Sequence, residues 1–436
     1  MNKRIILIFI AFVIFSQSLA SQELWDTQAG RNRIFNALVN IFADNYWDPD
    51  YREWDSWADK FRDDAINAKD RAGFDSVLRR MVYDLNDDHS RWLGLINVPL
   101  SLDDGNIHQL TNLRPGIGFS HQFLFKQGIA IDRVYPETPA AKAGLHRGDL
   151  IVSVNGKDLS SASATSKIMS YISDAVTAGK VVFEVLRNGR TVEFTIQPED
   201  IDFDKVQDLP QAEMLDKTTG YIYLPSFNLT GIASKIHSMI AELKAEGARS
   251  LILDLRDNLG GHLDEMGMIL GAFIEGDWAQ AVGQGEIVWT PTYYLANGKG
   301  INKLVSPSGR VVSSNAISNP VKFDGALTLI VSSVNSSAGE ISALVLQDLG
   351  RATIIGEQTD GNVEAIQIFD LPDGSAVYVA VANIKGINGT DYTTGVTPDV
   401  IVKEDLEELV RGYDAPIAAA LKELKSLPFT PGKYWK

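Results

Sequence analysis

The sequence predicts a multi-domain α/β protein in three parts: a helical lobe over residues 21–112, a small β domain over 113–200 and an α/β domain over 201–436. Three observations predict it. Ile34, Leu38, Ile41 and Phe42 recur at helical spacing early in the chain. Short strand-like runs punctuated by glycine turns follow between residues 116 and 197. Beyond residue 204, β-branched runs alternate with amphipathic helical segments, the pattern of a parallel sheet covered by helices. With 436 residues, 45% of them hydrophobic, the chain can fill several cores.

Residues 1–20 read as a signal peptide. Lys3 and Arg4 precede an apolar run over residues 5–15, and Ser18-Leu19-Ala20 offers small residues at a cleavage site. The run is too short to span a bilayer comfortably, so an uncleaved anchor is the minor alternative. The expectation is an exported protein, periplasmic or extracellular, with no stable membrane insertion after cleavage. The absence of cysteine excludes disulfides and a thiol-linked lipid anchor. The net charge is −16, and without Lys3 and Arg4 the chain keeps 38 basic against 56 acidic residues, or −18. That sign disfavours nucleic acid and anionic membrane surfaces as partners. Nothing in the sequence sets the oligomeric state.

In the lobe, a second stripe, Phe74, Val77, Leu78, Met81 and Leu85, follows an aromatic turn, Tyr46-Trp47-Asp48-Pro49-Asp50-Tyr51. Its helix ends in Asn86-Asp87-Asp88-His89-Ser90. Asp103-Asp104-Gly105 and Arg114-Pro115-Gly116 mark the boundary beyond it.

The β domain reads as strands at 128–134 and 148–154, a short helix over 138–145, and a hairpin of 180–186 with 192–196 across Asn188-Gly189. Its Pro139-Ala140-Ala141-Lys142-Ala143-Gly144-Leu145 and Gly148-Asp149-Leu150-Ile151-Val152-Ser153-Val154-Asn155-Gly156 segments resemble a PDZ domain. The resemblance implies that Gly116, Ile117, Gly118 and Phe119 form a loop whose backbone N–H groups hold a peptide C-terminal carboxylate. The peptide would then add as a strand. A plain small β-barrel with ordinary turn glycines is the alternative.

The third part reads as a strand at 220–224, a helix carrying Ile232, Ile236, Ile240 and Leu243, and a strand at 250–255. Asp257-Asn258-Leu259-Gly260-Gly261 follows, then a helix carrying Leu263, Met266, Ile269, Leu270 and Phe273. Residues 326–331 form the next strand, and Ile341, Leu344, Val345 and Leu349 its helix, stopped by Gly350. Strands at 352–355, 365–371 and 375–382 and a final helix from about 405 into the 420s complete it. Ser336 and Ser337 thus sit at a strand-to-helix turn, where helix N–H groups favour an oxyanion. Taken alone, this stretch favours a simple N-cap at Ser336 or Ser337, with Glu340 completing a capping box. The Gly260-Gly261 turn, at the carboxyl end of a parallel strand, can offer further N–H donors, or can be a simple tight turn.

Motif order adds to this. The Asp-Asp-His-Ser ending and the PDZ-like domain precede residues 253–261 (Leu-Asp-Leu-Arg-Asp-Asn-Leu-Gly-Gly), Asn335-Ser336-Ser337-Ala338-Gly339-Glu340, Gly356-Glu357-Gln358-Thr359-Asp360-Gly361-Asn362 and Gly395-Val396-Thr397-Pro398-Asp399. This order resembles the carboxyl-terminal processing (tail-specific) peptidase family. The resemblance implies a crotonase-like α/β catalytic domain, a serine endopeptidase needing no metal or cofactor, and polypeptide substrates with free C-termini. It places the nucleophile on Ser337 and the oxyanion donors on Ala338, Gly260 and Gly261. One position departs: where many members carry the lysine partner, this chain has Asn362, and an amide cannot accept the proton. The related tricorn core protease uses a histidine from the helical lobe, which implies His89 as base. Glu364 or Asp391 would orient it, with a lean to Glu364. His262 is the rival base, Lys385 a remoter one, and His108, His121, His146 and His237 show no ligand spacing. The competing reading is a catalytically silent PDZ-bearing binding or adaptor protein, motivated by the missing lysine.

Overall fold

A computed structural model of the chain describes residues 24–95, 113–162 and 164–426. The expected signal peptide, the Asp103-Asp104-Gly105 boundary and His108 lie outside the described residues.

The N-terminal part packs three helices, α1 (Gln28–Asn45), α2 (Trp54–Ile66) and α3 (Arg71–Tyr83), and ends in strand β1 (Arg91–Leu95). Helices α1 and α3 are opened by side-chain caps, Thr27 accepting from Gly30 N–H and Asp70 from Gly73 N–H. Their apolar stripes bury Ile34, Leu38, Phe42, Phe74, Leu78 and Met81.

The second part comprises β2 (Leu113–Gly116), β3 (Phe119–Leu124), β4 (Gly128–Val134), α4 (Pro139–Ala143), β5 (Leu150–Val154), β6 (Lys157–Asp158), α5 (Thr165–Thr177), β7 (Val181–Arg187), β8 (Arg190–Ile196) and β9 (Glu199–Asp202). Its antiparallel sheet runs β3-β4-β5-β7-β8, with β6 on β5, and β3 is an edge strand. The edge leaves a row of backbone groups open to an added strand.

A short helix, α6 (Phe203–Val206), and β10 (Gln211–Met214) lead into the third part. There β11 (Thr219–Tyr223), α7 (Ile232–Glu246), β12 (Ser250–Asp254) and α8 (Leu263–Leu270) form the anticipated β-α-β succession. Strands β13 (Gly276–Asp277), β14 (Ala279–Gly283), β15 (Glu286–Ala296), β16 (Lys299–Val305) and β17 (Val311–Ser318) build an arm absent from the sequence reading. Then follow β18 (Ala326–Val331), α9 (Ala338–Asp348), β19 (Thr353–Gly356), β20 (Glu364–Asp370), β21 (Ser375–Gly386), β22 (Val400–Ile401), α10 (Leu406–Leu409) and α11 (Ala415–Ser426). The single final helix expected from about residue 405 is therefore two, separated where Gly412 adopts φ +91°.

Two sheets organise this part. One runs β10-β11-β12-β18-β19-β22, with β11, β12, β18, β19 and β22 parallel. One face packs on α7, α8 and α9; the other carries α11 on Tyr221, Ile252, Ile330 and Ile355. Burial on both faces explains the near-continuous apolar strands. The other sheet runs β1-β21-β14-β15-β16-β17, with β20 also on β21. The helical part is thus not closed on itself: it lends β1 to this sheet, and its core includes Val377, Val379 and Ala380 of β21.

Candidate active site

The nucleophile candidate stands where β18 turns into α9. Asn335, buried, ties this turn down: its Nδ2 donates to Leu255 O (2.6 Å) and Asn258 O (3.0 Å), and its Oδ1 accepts from Ser332 N–H (2.6 Å). Ser337 is the N-cap residue of α9, with φ 52° and ψ −131°. Its hydroxyl makes no capping hydrogen bond. Nor does Glu340 reach back as a capping box requires; its carboxylate turns instead to Thr359, Gly361 and Asn362. The N-cap alternative therefore fails on both of its bonds. The half-buried hydroxyl at position 337 makes no hydrogen bond among the described residues, on a backbone that side-chain-bearing residues seldom adopt.

Gly260 and Gly261 lie against this elbow. A Cβ on Gly260 would come within 2.7 Å of Ser337 Cβ and 3.0 Å of Ala338 N, so only glycine fits. Its own N–H, however, donates to Asn258 Oδ1 at 2.8 Å. This corrects the expectation that Gly260 supplies an oxyanion donor: it supplies clearance. Ser337 N–H is likewise spent, on Asn362 O at 2.8 Å. The N–H groups of Ala338 and Gly261 donate to no acceptor among the described residues, so these two are the open donors at the elbow.

His89 follows α3 in a segment held from several sides. Tyr51 Oη donates to Leu85 O at 2.6 Å, Asp87 Oδ1 accepts from His89 N–H at 2.9 Å and also from Ser90 N–H, and Ser90 Oγ accepts from Ala380 N–H of β21 at 3.2 Å. The imidazole Nδ1 lies 3.1 Å from Glu364 Oε2, with both side chains largely buried. Nδ1 is not aligned for a hydrogen bond, so the contact is an electrostatic one. Asn362, whose carbonyl receives Ser337 N–H, stands two residues before Glu364. One short segment thus meets the elbow through Asn362 and the imidazole through Glu364.

The other candidates are engaged elsewhere. Asp391 Oδ1 accepts from Thr393 N–H (3.1 Å) and Thr393 Oγ1 (2.9 Å), which closes its own turn, so Glu364 takes the place at the imidazole. His262 is the half-buried N-cap residue of α8, and its N–H donates to Phe227 O at 3.2 Å. Its ring has no hydrogen bond or ion pair among the described residues. Lys385 lies on β21 opposite Gln280. Sequence reasoning passed over Asn258 and Asn335, because their role is set by contacts between distant turns.

In the β domain, Gly116 ends β2, Phe119 opens β3, and the N–H groups of Ile117 and Gly118 between them donate to no acceptor among the described residues. Gly118 takes φ +97° against Thr138, whose atoms a Cβ would meet at 2.2 Å. Between this domain and the third part lies a cavity of about 960 Å³ lined by Asp132, Arg147, Tyr223, Arg256, Glu404 and Asp414 among others, but by neither Ser337 nor His89.

The sequence profile described as Peptidase family S41 matches residues 218–402. Over these residues the chain is similar to peptidase family S41. A PDZ domain profile matches residues 131–187, which begins beyond the Gly116–Phe119 loop. A carboxyl-terminal-processing protease of Synechocystis sp. is 29% identical over 293 residues, 65% of this chain and 62% of the relative. The chloroplastic carboxyl-terminal-processing peptidase 2 of Arabidopsis thaliana is 28% identical over 333 residues, 74% of this chain and 59% of the relative. The match thus spans about three fifths of the length of these two curated relatives. A solved Bacteroides fragilis structure assigned to the S41 proteases superposes with a TM-score of 0.57 at 17% identity, covering 90% of this chain and 97% of that one. It shares the S41 fold with this chain.

Proposed function

We propose that this chain is an exported serine endopeptidase of family S41 that cleaves polypeptides recognised through their C-termini, with Ser337 as nucleophile, His89 as general base and acid, and Glu364 orienting the imidazole. The observation that carries it is the uncommitted Ser337 hydroxyl on a strained elbow, tied through Asn362 to the segment whose Glu364 faces His89 Nδ1. With Nδ1 turned to the carboxylate, Nε2 is the nitrogen left for the hydroxyl proton. Ser337 Oγ attacks the peptide carbonyl carbon while His89 takes its proton. The carbonyl oxygen becomes an oxyanion held by the N–H groups of Ala338 and Gly261. Collapse breaks the C–N bond, and His89 gives the proton to the leaving amine. Water then repeats the sequence on the acyl-enzyme.

Export rests on residues 1–20, and C-terminal recognition on the open N–H groups of Ile117 and Gly118 beside edge strand β3. The parts proposed are the lobe over 21–112, the PDZ-like domain over 113–200 and the peptidase domain over 201–436. The test is labelling by a fluorophosphonate probe. Wild type is expected to react, and Ser337→Ala and His89→Ala each to abolish the reaction. Labelling that survives Ser337→Ala removes the nucleophile; loss in His262→Ala with His89→Ala unaffected moves the base. A wild type that takes no label favours the silent peptide-binding reading. A C-terminally amidated peptide cut as fast as the free acid would end the proposed PDZ role.

A further inference from the structure

We infer that Glu340 is a positioning residue for this site, its buried carboxylate fixing the 359–362 loop that sets both the Ser337 elbow and the Glu364–His89 pair. The inference rests on the Ser337–His89 reading and adds to it a residue that touches neither substrate nor reacting atoms. Glu340 has no exposed surface. It stands on the first turn of α9, three residues beyond Ser337, where a negative charge suits the helix dipole. Oε1 accepts from Gly361 N–H at 2.7 Å and from the Thr359 hydroxyl; Oε2 accepts from Asn362 N–H at 2.8 Å. Thr359 Oγ1 in turn accepts from Val396 N–H at 2.7 Å. The loop so gripped turns Asn362 O onto Ser337 N–H and runs straight into Val363 and Glu364.

The chemistry of the grip requires an acceptor at both oxygens. All three partners are donors, so an amide in the same place would confront at least one of them with its own NH2 group. If that partner is Asn362 N–H, the residue is released, and with it the carbonyl that orients the nucleophile's backbone. If it is Gly361 or Thr359, the loop is released one step earlier. Burial pushes the Glu340 carboxyl above its ordinary value, and the three donors oppose that rise. Placing an ionisable group there is costly unless its hydrogen bonds are needed.

The experiment compares wild type, Glu340→Gln and Ser337→Ala by fluorophosphonate titration of active sites, and by kcat and KM on a peptide substrate, with rates expressed per titrated site. Glu340→Gln is expected to lower kcat per site at least tenfold with KM within twofold of wild type, and to slow labelling by a similar factor. A merely structural role would lower the number of titratable sites and leave kcat per site unchanged; that result overturns the inference. Should Glu340→Gln not fold, Thr359→Val removes one of the three bonds to Glu340, together with the bond from Val396 N–H, and is expected to lower kcat per site two- to tenfold; no change there overturns it as well. Labelling that persists in Ser337→Ala would instead mean that the underlying assignment has failed, and the inference falls with it.

Discussion

Ser337 holds a conformation, φ 52° and ψ −131°, that costs a side-chain-bearing residue roughly 1–3 kcal/mol. The surrounding bonds hold it there: Asn362 O receives its N–H, and Asn335 pins the preceding turn to Leu255 and Asn258. Substitution at this position should therefore reveal the strain. Ser337→Gly is expected to be more stable than Ser337→Ala by about 1 kcal/mol, because glycine adopts the backbone freely while alanine keeps its Cβ. Calorimetry of the two variants checks it, and equal melting temperatures would count against a strained elbow. At this scale the sequence was informative about residue types and poor about commitments. Ser337, Gly260 and Gly261 stand at the elbow and its turn as anticipated, since strand, turn and helix signals bracket them. That Gly260 N–H is spent on Asn258, and that Glu340 faces a loop instead of the N-cap, depends on contacts between turns far apart in the chain. Local spacing carries no record of such contacts.

Elements were legible where burial forces a period. Strands β11, β12 and β18 lie inside a parallel sheet and are largely apolar, so their runs stood out. The β14–β17 arm did not, because its strands face the core only in part: β17, Val-Val-Ser-Ser-Asn-Ala-Ile-Ser, buries Ile317 alone. Helix α7 shows what amphipathic periodicity leaves out. It buries His237 with its apolar stripe, where Nε2 donates to Met268 O at 2.9 Å and Nδ1 accepts from Val321 N–H at 2.9 Å. Burial lowers its affinity for a proton below the ordinary value of 6.5, although the bond to Met268 O works the other way. The folded state thus binds a proton more weakly than the unfolded chain. Stability is full above the unfolded value and falls as pH drops through about 6.5, by at most about 1.4 kcal/mol per pH unit. Urea unfolding at pH 7.5 and pH 5.5 is expected to show this loss, and His237→Gln to reduce the difference between the two. An unchanged difference would assign the acid sensitivity to other groups.

Across the whole molecule, the PDZ domain meets the α/β domain through a cluster of charges that no motif announced. Arg147, just past α4, reaches Asp132 (2.9 Å) on its own domain, and Asp414 (3.2 Å) and Glu404 on the C-terminal segment. Glu404 and Asp414 also receive Arg256, at 2.6 and 3.2 Å, and Arg256 sits two residues before Asn258, which braces Gly260. Burial disfavours the charge on Asp414, but Arg256 and Arg147 outweigh it and hold the carboxyl below its ordinary range. The two arginines are therefore shared cations for carboxylates that would otherwise repel one another. Removing one leaves the other with an excess of buried negative charge, a change that costs about 3–5 kcal/mol in fully buried pairs. Arg147 keeps 27% of its side chain exposed, so the lower end of that range applies. Because the lost bonds cross the domain boundary, the cost falls on coupling between domains more than on either core. Arg147→Ala is expected to split a single calorimetric transition into two, with the PDZ domain melting first, while the Ser337 site still takes a fluorophosphonate label. One unshifted transition in the variant would show that apolar contacts at this boundary, such as those among Ala130, Leu150 and Val410, hold the domains together without the charges.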